Sequence, residues 1–349
     1  MTIVPEILTL IIPTYTRTEF LTRILRYYWE KGFPHQIFIA DSSSEPVRAA
    51  NQEVVASMRD ILNIRYEPYL PDISFPAKIA NSLNTLESKY VAFCADDDFL
   101  IPKGLEACLQ YLEDHPDYSA AQGRRLIFKI IQNSALTRGW SFKIVNAERG
   151  QNLSQDRAID RLYQHLSDYA STFYAVHRRI ELLRNLKMAG DRTRDLRFGE
   201  LLPSCLTVIQ GKVNRLDVPY TLSEAHQENT NRKIVNWGDL LVGDDFSDRY
   251  TAFRDCLVRE IVERTGEYEA TAKEAVNKAA LAYFGMVYGM YRVPNYNEVI
   301  QWLPFIEIAT LASQFSSYAS SQILLRRHTY VYRSEISTVK QHVLRHVKT

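Results

Sequence analysis

Three times in its first hundred residues the chain runs through a short, largely apolar segment and then breaks on polar residues: Ile7 to Ile12, Gln36 to Ala40 and Tyr90 to Cys94, while Asn63 to Glu67 reads as a further strand. Apolar runs of this length without polar alternation predict strands covered on both faces. Between them, Glu19 to Trp29 places Leu21, Ile24, Leu25 and Tyr28 on one helical face, and Ala77 to Leu86 reads as a further helix. Strand, helix and strand in this order predict an α/β fold with a mostly parallel, Rossmann-like central sheet flanked by helices. The breaks then matter most. Pro13 to Tyr15, Asp41 and Asp96 to Asp98 all follow strands, at the carboxyl ends where open α/β sheets bind their ligands.

Past Pro102 the pattern continues. A helix is expected over Leu105 to Glu113, a strand over Ala120 to Ile131 carrying Arg124 and Arg125, and a strand over Thr172 to His177. A charged helix follows from Arg178 to Lys187. Thr230 to Asp248 turns polar and reads as a linker or loop, and helices dominate from Tyr250 onward. With 349 residues, more than one core usually holds, the expectation is an α/β domain over 1–235 and a mainly helical region over 236–349.

Composition removes several function classes. A net charge of +1 argues against a chain that coats nucleic acid. The four cysteines, Cys94, Cys108, Cys205 and Cys256, show neither zinc-ligand spacing nor a disulfide framework, which suits a reducing cytoplasm. Neither a signal peptide nor an apolar run long enough to span a bilayer is read. The basic end from Arg326 to Lys348 reads as a solvated helix face, with contact to anionic lipid at the cytoplasmic side of a membrane as the alternative. Dimerisation through the helical end stays open.

In YVAFCADDDFLIP three carboxylates follow a buried strand. Like charges this close repel unless a cation neutralises them. A divalent Mg2+ or Mn2+, held by one or two carboxylates and by substrate phosphate oxygens, would do so. A solvated acidic turn or a helix cap is the plainer alternative.

Five stretches in order resemble the family 2 glycosyltransferases, which have the GT-A fold. These are LIIPTYTRTEFLTRIL, IFIADSSS, PAKIANSL with YVAFCADDDFLIPKGL, FYAVHRRIEL, and GELLPSCLTVIQGKVNRLDVPYTLSEAH, together covering about residues 7 to 230. The resemblance implies that a nucleotide-sugar donor lies against Pro13, Thr14, Tyr15, Arg17, Asp41 and Lys78, with Asp96 facing the ribose. It implies a metal at Asp97, supported by Asp98 and His226, and Arg232 on a loop closing over the phosphates. Ala95 stands where the commonest acidic motif begins, which leaves open which of Asp97 and Asp98 binds the ion.

For transfer with inversion a general base must take the acceptor proton. The resemblance points to Glu200, eleven residues before Gly211, with Pro219 eight residues later and His226 seven beyond that. Asp195 is the fallback. The implied reaction moves one sugar from a UDP or dTDP sugar to a hydroxyl of a carbohydrate or lipid-linked glycan, in surface polysaccharide or glycoconjugate synthesis. The processive Gln-x-x-Arg-Trp motif is absent from the sequence. Two other classes compete: a nucleotidyltransferase acting on sugar phosphates, disfavoured because PTYTRTEF lacks glycine, and a binding module that retains the fold without catalysis.

Overall fold

The computed structural model describes residues 6–132, 140–148, 150–193, 196–225, 237–241, 243–291 and 333–346. The first half begins β1 (Leu8–Thr14), α1 (Thr18–Glu30), β2 (Gln36–Asp41), α2 (Val47–Ala56), β3 (Ile64–Pro68), α3 (Phe75–Asn84) and β4 (Tyr90–Phe93). After the acidic turn come β5 (Phe99–Leu100), α4 (Pro102–Asp114), β6 (Tyr118–Gln132), β7 (Trp140–Glu148), α5 (Ala158–Ser167), β8 (Val176–Arg178) and α6 (Arg179–Arg192). The remainder is α7 (Leu196–Gln210), β9 (Lys212–Glu224), α8 (Trp237–Leu241), α9 (Phe246–Thr265), α10 (Glu269–Tyr291) and α11 (Arg333–His346).

One sheet runs in the order β3-β2-β1-β4-β8-β6-β9-β5, with β7 also paired to β6. The strands β3, β2, β1 and β4 are parallel, as the crossover pattern predicts. An antiparallel β8 then separates them from the parallel pair β6 and β9. β1 shows why its run is apolar throughout. Leu8, Leu10 and Ile12 enter the core under α1 and α4, while Ile11 enters the opposite core with Ile79 of α3 and Leu182 of α6. A third core joins α5 and α7 to α9 and α10.

The strand expected over Thr172 to His177 is shorter, beginning only at Val176. Thr172 instead closes a turn, its carbonyl accepting from Ala175 N at 2.9 Å and its hydroxyl lying 3.0 Å from Ser204 Oγ. Such local bonds compete with the ladder. α2 gives a weak sequence signal because it buries only Asn51 and Val55.

Two tight approaches fix how the β9 end of the sheet closes. A Cβ on Gly104 of α4 would lie 2.1 Å from Pro219 O, and one on Gly211, between α7 and β9, 2.8 Å from Ser119 N. All four cysteines are buried and free. Among the described residues no helix is long and apolar enough to cross a membrane.

Candidate active site

The parallel strands deliver the predicted residues to one place. Register pairs Thr14 with Asp41 at the ends of β1 and β2, and β4, beside β1, leads into the acid triplet. There Asp98 N donates to Ala95 O at 3.1 Å, closing a tight turn. The triplet is not a solvated one: Asp96, Asp97 and Asp98 are 4%, 8% and 5% exposed.

The three acids have separate surroundings. Asp96 Oδ2 accepts from Thr14 Oγ1 at 2.7 Å, and its Oδ1 from Arg17 Nη1 at 3.2 Å. The same Nη1 donates to Asp97 Oδ2 at 2.7 Å. Asp98 turns to β9, its Oδ2 accepting from Ser223 Oγ and its Oδ1 from Glu224 N, both at 3.1 Å. Burial, and then the charge of Asp97, push the Asp96 carboxyl up to about 6 against the pull of Thr14 and Arg17. The same two causes raise Asp98 to about 7, opposed by Arg125, Ser223 and Glu224 N. For Arg17 burial opposes the charged form, yet Asp96 and Asp97 outweigh it and the guanidinium is held more firmly protonated than usual.

Arg17 occupies the N-cap of α1, directly after Thr16, whose φ of 55° is left-handed. That uncommon conformation is secured by Thr16 N donating to Ser43 Oγ at 2.9 Å. The turn leaves Tyr15 46% exposed beside the strand ends, so its ring is available to a planar partner. Pro13, the residue before Thr14, pairs with Ala40 within the sheet.

Asp41 is fully buried. Its Oδ1 accepts from Ser43 N at 2.7 Å, and its Oδ2 from Asn51 Nδ2 at 2.8 Å and Tyr66 hydroxyl at 2.6 Å. The carboxylate therefore organises the β2 turn and the Tyr66 side chain. Lys78, from α3, donates its amine to Thr14 O at 3.3 Å and Ser42 Oγ at 2.9 Å, tying β1 to β2. Burial pushes this amine down to about 8, although Asp41 and Asp96 both favour its charge.

A second guanidinium lies under the turn. Arg23 of α1 pairs with Glu224 Oε2 at 2.6 Å and donates to Asp97 O at 2.9 Å, while stacking on Phe20 and Phe99. Arg125 of β6 donates to Ser223 Oγ at 2.9 Å, next to Asp98. Arg23, Ser223, Glu224 and Arg125 escape the sequence reading as site residues. The one signal available is an arginine on the buried side of an amphipathic helix, which requires a partner.

α7 joins β9 through Gly211 at the far end of the sheet, so its first turn lies toward the carboxyl ends of β6 and β9. Glu200 belongs to that first part of α7 and is exposed. Its carboxyl is nevertheless raised by the protein packed around it, against the opposing charge of Arg197. Asp195, His226, Arg232 and Lys233 lie outside the described residues. Arg178 and Arg179 are at the opposite end of the sheet, where they bind the backbone carbonyls of Tyr118, Leu112, His115, Ser88 and Leu83. They are structural.

Among the described residues no three His, Cys, Asp or Glu side chains are grouped as a metal site. A cation position is marked all the same. Arg17 Nη1 stands between Asp96 and Asp97 and touches an oxygen of each, so a compact ion in its place would meet the same two oxygens. Those two oxygens, one from Asp96 and one from Asp97, are of the kind a divalent ion takes, whereas the oxygens of Asp98 accept from Ser223 Oγ and Glu224 N.

No protein-family model matches the chain, and no curated protein sequence does. Solved structures do. S. aureus TarS 1–349 in complex with UDP-GlcNAc superposes with a TM-score of 0.55 at 15% identity, covering 84% of this chain and 78% of that one. A second structure of S. aureus TarS 1–349 gives 0.50 at 14% identity over 84% and 77%. The chain has the GT-A fold. At these identities the likeness is one of architecture.

Proposed function

We propose that this GT-A protein is a metal-dependent glycosyltransferase that moves one sugar from a nucleoside-diphosphate sugar to a hydroxyl acceptor. The observation that carries the reading is the convergence of Thr14, Arg17, Asp96 and Asp97 at the carboxyl ends of β1 and β4. The UDP-GlcNAc bound by TarS supports a UDP-type donor, and a dTDP sugar offers the same pyrimidine imide and diphosphate.

In this reading Tyr15 stacks on the base. Asp41 shapes the base pocket through Tyr66 and the Ser43 turn, and Lys78 places positive charge behind Thr14 near Asp96. Asp96 orients the ribose hydroxyls. A divalent ion at Asp97, Mn2+ or Mg2+, supplies charge stabilisation for the leaving diphosphate when bound. Glu200, with its proton affinity raised by the protein around it, takes the acceptor proton, giving inversion. Asp195 is the alternative base, Asp98 and His226 are further ligands for the ion, and Arg232 contacts the phosphates. Residues 1–235 hold the catalytic machinery, and from 236–349 α9 and α10 extend the core shared with α5 and α7, while α11 packs into the core beside α1. The acceptor is a carbohydrate or lipid-linked glycan at the cytoplasmic side of the membrane, in surface polysaccharide or glycoconjugate synthesis.

The test is a donor screen by thermal shift with Mn2+ or with chelator, repeated on Asp97→Asn and Glu200→Gln. Asp97→Asn is expected to lose metal-dependent donor stabilisation. Glu200→Gln keeps donor binding and loses turnover by about 10²-fold or more. Donor stabilisation indifferent to chelator would sink the metal assignment, and full turnover in Glu200→Gln would move the base to Asp195. The anomeric configuration of product, read by NMR, checks inversion.

A further inference from the structure

We infer that Arg17 is an exchangeable internal cation: it neutralises Asp96 and Asp97 while the donor site is empty, and a divalent ion displaces it when the site is loaded. The inference rests on the reading of Asp97 as the metal position and adds to it what fills that position beforehand.

The geometry points to exchange because the guanidinium and a metal would require the same oxygens. Arg17 Nη1 lies 3.2 Å from Asp96 Oδ1 and 2.7 Å from Asp97 Oδ2. Both carboxylates are buried and adjacent, so a cation shared between these two oxygens lowers the cost of keeping both charged, and two cations cannot share them at once. A divalent ion carries twice the charge in a smaller radius and brings its own water and phosphate ligands.

The side chain also has somewhere to go. Arg17 is 16% exposed, in contrast to 4% for the Arg23 side chain beneath it, so it forms the outer wall of the cluster. Its guanidinium carbon lies 5.3 Å from the centre of the Phe20 ring, which Arg23 also approaches at 4.8 Å. It also caps α1, whose positive end favours an anion. A guanidinium released here faces the donor diphosphate, for which its planar fork is suited. One residue would thereby couple metal arrival to closure on the phosphates. Arg23 cannot serve, being locked between Glu224 and Asp97 O.

The consequence is unusual for a site residue: removing Arg17 should strengthen metal binding. The experiment titrates the full chain with Mn2+ alone, reading free Mn2+ by electron paramagnetic resonance, for the wild type, Arg17→Gln, Arg17→Lys, Asp97→Asn and the pair Arg17→Gln with Asp97→Asn. Arg17→Gln is expected to bind Mn2+ about tenfold tighter or more, because its competitor is gone. Arg17→Lys, which keeps the charge, stays near wild type, and Asp97→Asn cancels the gain. UDP affinity in saturating Mn2+, by calorimetry, falls in Arg17→Gln.

A second measurement needs no variant beyond resonance assignment. The Arg17 Nε–H signal in wild-type protein should lose its ion-paired shift when Mg2+ saturates. Unchanged or weaker Mn2+ binding in Arg17→Gln, no Mn2+ binding by any form, or an Arg17 signal unmoved by Mg2+ would each overturn exchange. The transferase reading fails separately. UDP-sugar binding and turnover with chelator present would refute exchange and leave transfer standing, whereas tighter Mn2+ without any nucleotide binding would do the reverse.

Discussion

Breaking the Arg23–Glu224 pair should destabilise the fold far more than removing both charges together. The pair joins α1 to the end of β9 across the underside of the acidic turn, with both side chains under a tenth exposed and Nη1 2.6 Å from Oε2. That contact places the charge centres about 4 Å apart, an attraction of about 4 kcal/mol at an effective dielectric of 20. Glu224→Leu removes the attraction and leaves Arg23 buried, while its remaining bond to Asp97 O offers no negative charge in return. The cost is expected to be about 3–5 kcal/mol. Arg23→Met should cost a similar amount by stranding Glu224. In the double variant, Met packs between Phe20 and Phe99, where the guanidinium now stacks, no buried charge is left over, and the loss should drop below either single change. Urea unfolding followed by tryptophan fluorescence and by far-UV circular dichroism measures the cycle, with coincident transitions required before free energies are compared. Additive single costs, or singles within about 1 kcal/mol of wild type, would show that the pair is effectively solvated and refute the reasoning.

Gly104→Ala should cost about 1–3 kcal/mol or more, because its Cβ would sit 2.1 Å from the backbone oxygen of Pro219 and neither element can give way cheaply; a melting temperature equal to wild type would refute the close approach. His165 and His177 are held neutral, burial pushing them down to about 3 and about 4. An unfolded chain protonates these rings near 6.5 and the folded one does not, so their contribution is complete above 6.5 and is lost as pH falls toward 4. Each should add a slope of about 1.4 kcal/mol per pH unit between pH 6 and pH 5. Replacing His177 with Asn should remove its share, and an identical pH slope in wild type and variant would refute the assignment.

The fold was legible where burial dictates the residue type. β1, β2 and β4 are covered on both faces, so their sequences are apolar throughout and end abruptly on polar residues. β7 was not legible. Among the described residues it pairs with β6 alone, its residues are half-buried or exposed, and WSFKIVNAE mixes charged and apolar residues accordingly. The β9 strand is hidden for another reason: it carries Arg215, Asp217 and Pro219 inside a segment whose pairing with β6 shifts register near Arg124, so no period of two persists.

The candidate site divides along the same line. That three adjacent carboxylates need positive charge follows from Coulomb repulsion alone, and a local sequence window can show it. Which cation answers cannot be read locally, because the first answer comes from Arg17, 79 and 80 residues earlier in the chain. The turn after β1 and the turn after β4 become neighbours only once the parallel register sets β1 against β4. Asp98 makes the same point in reverse. In sequence it is the equal of Asp97, yet β9 returns Ser223 and Glu224 N to it from 125 and 126 residues away. Equivalence within the triplet is thus a property of the sequence alone, and the strands that close around it give Asp96 to Thr14, Asp97 to Arg17 and Asp98 to β9.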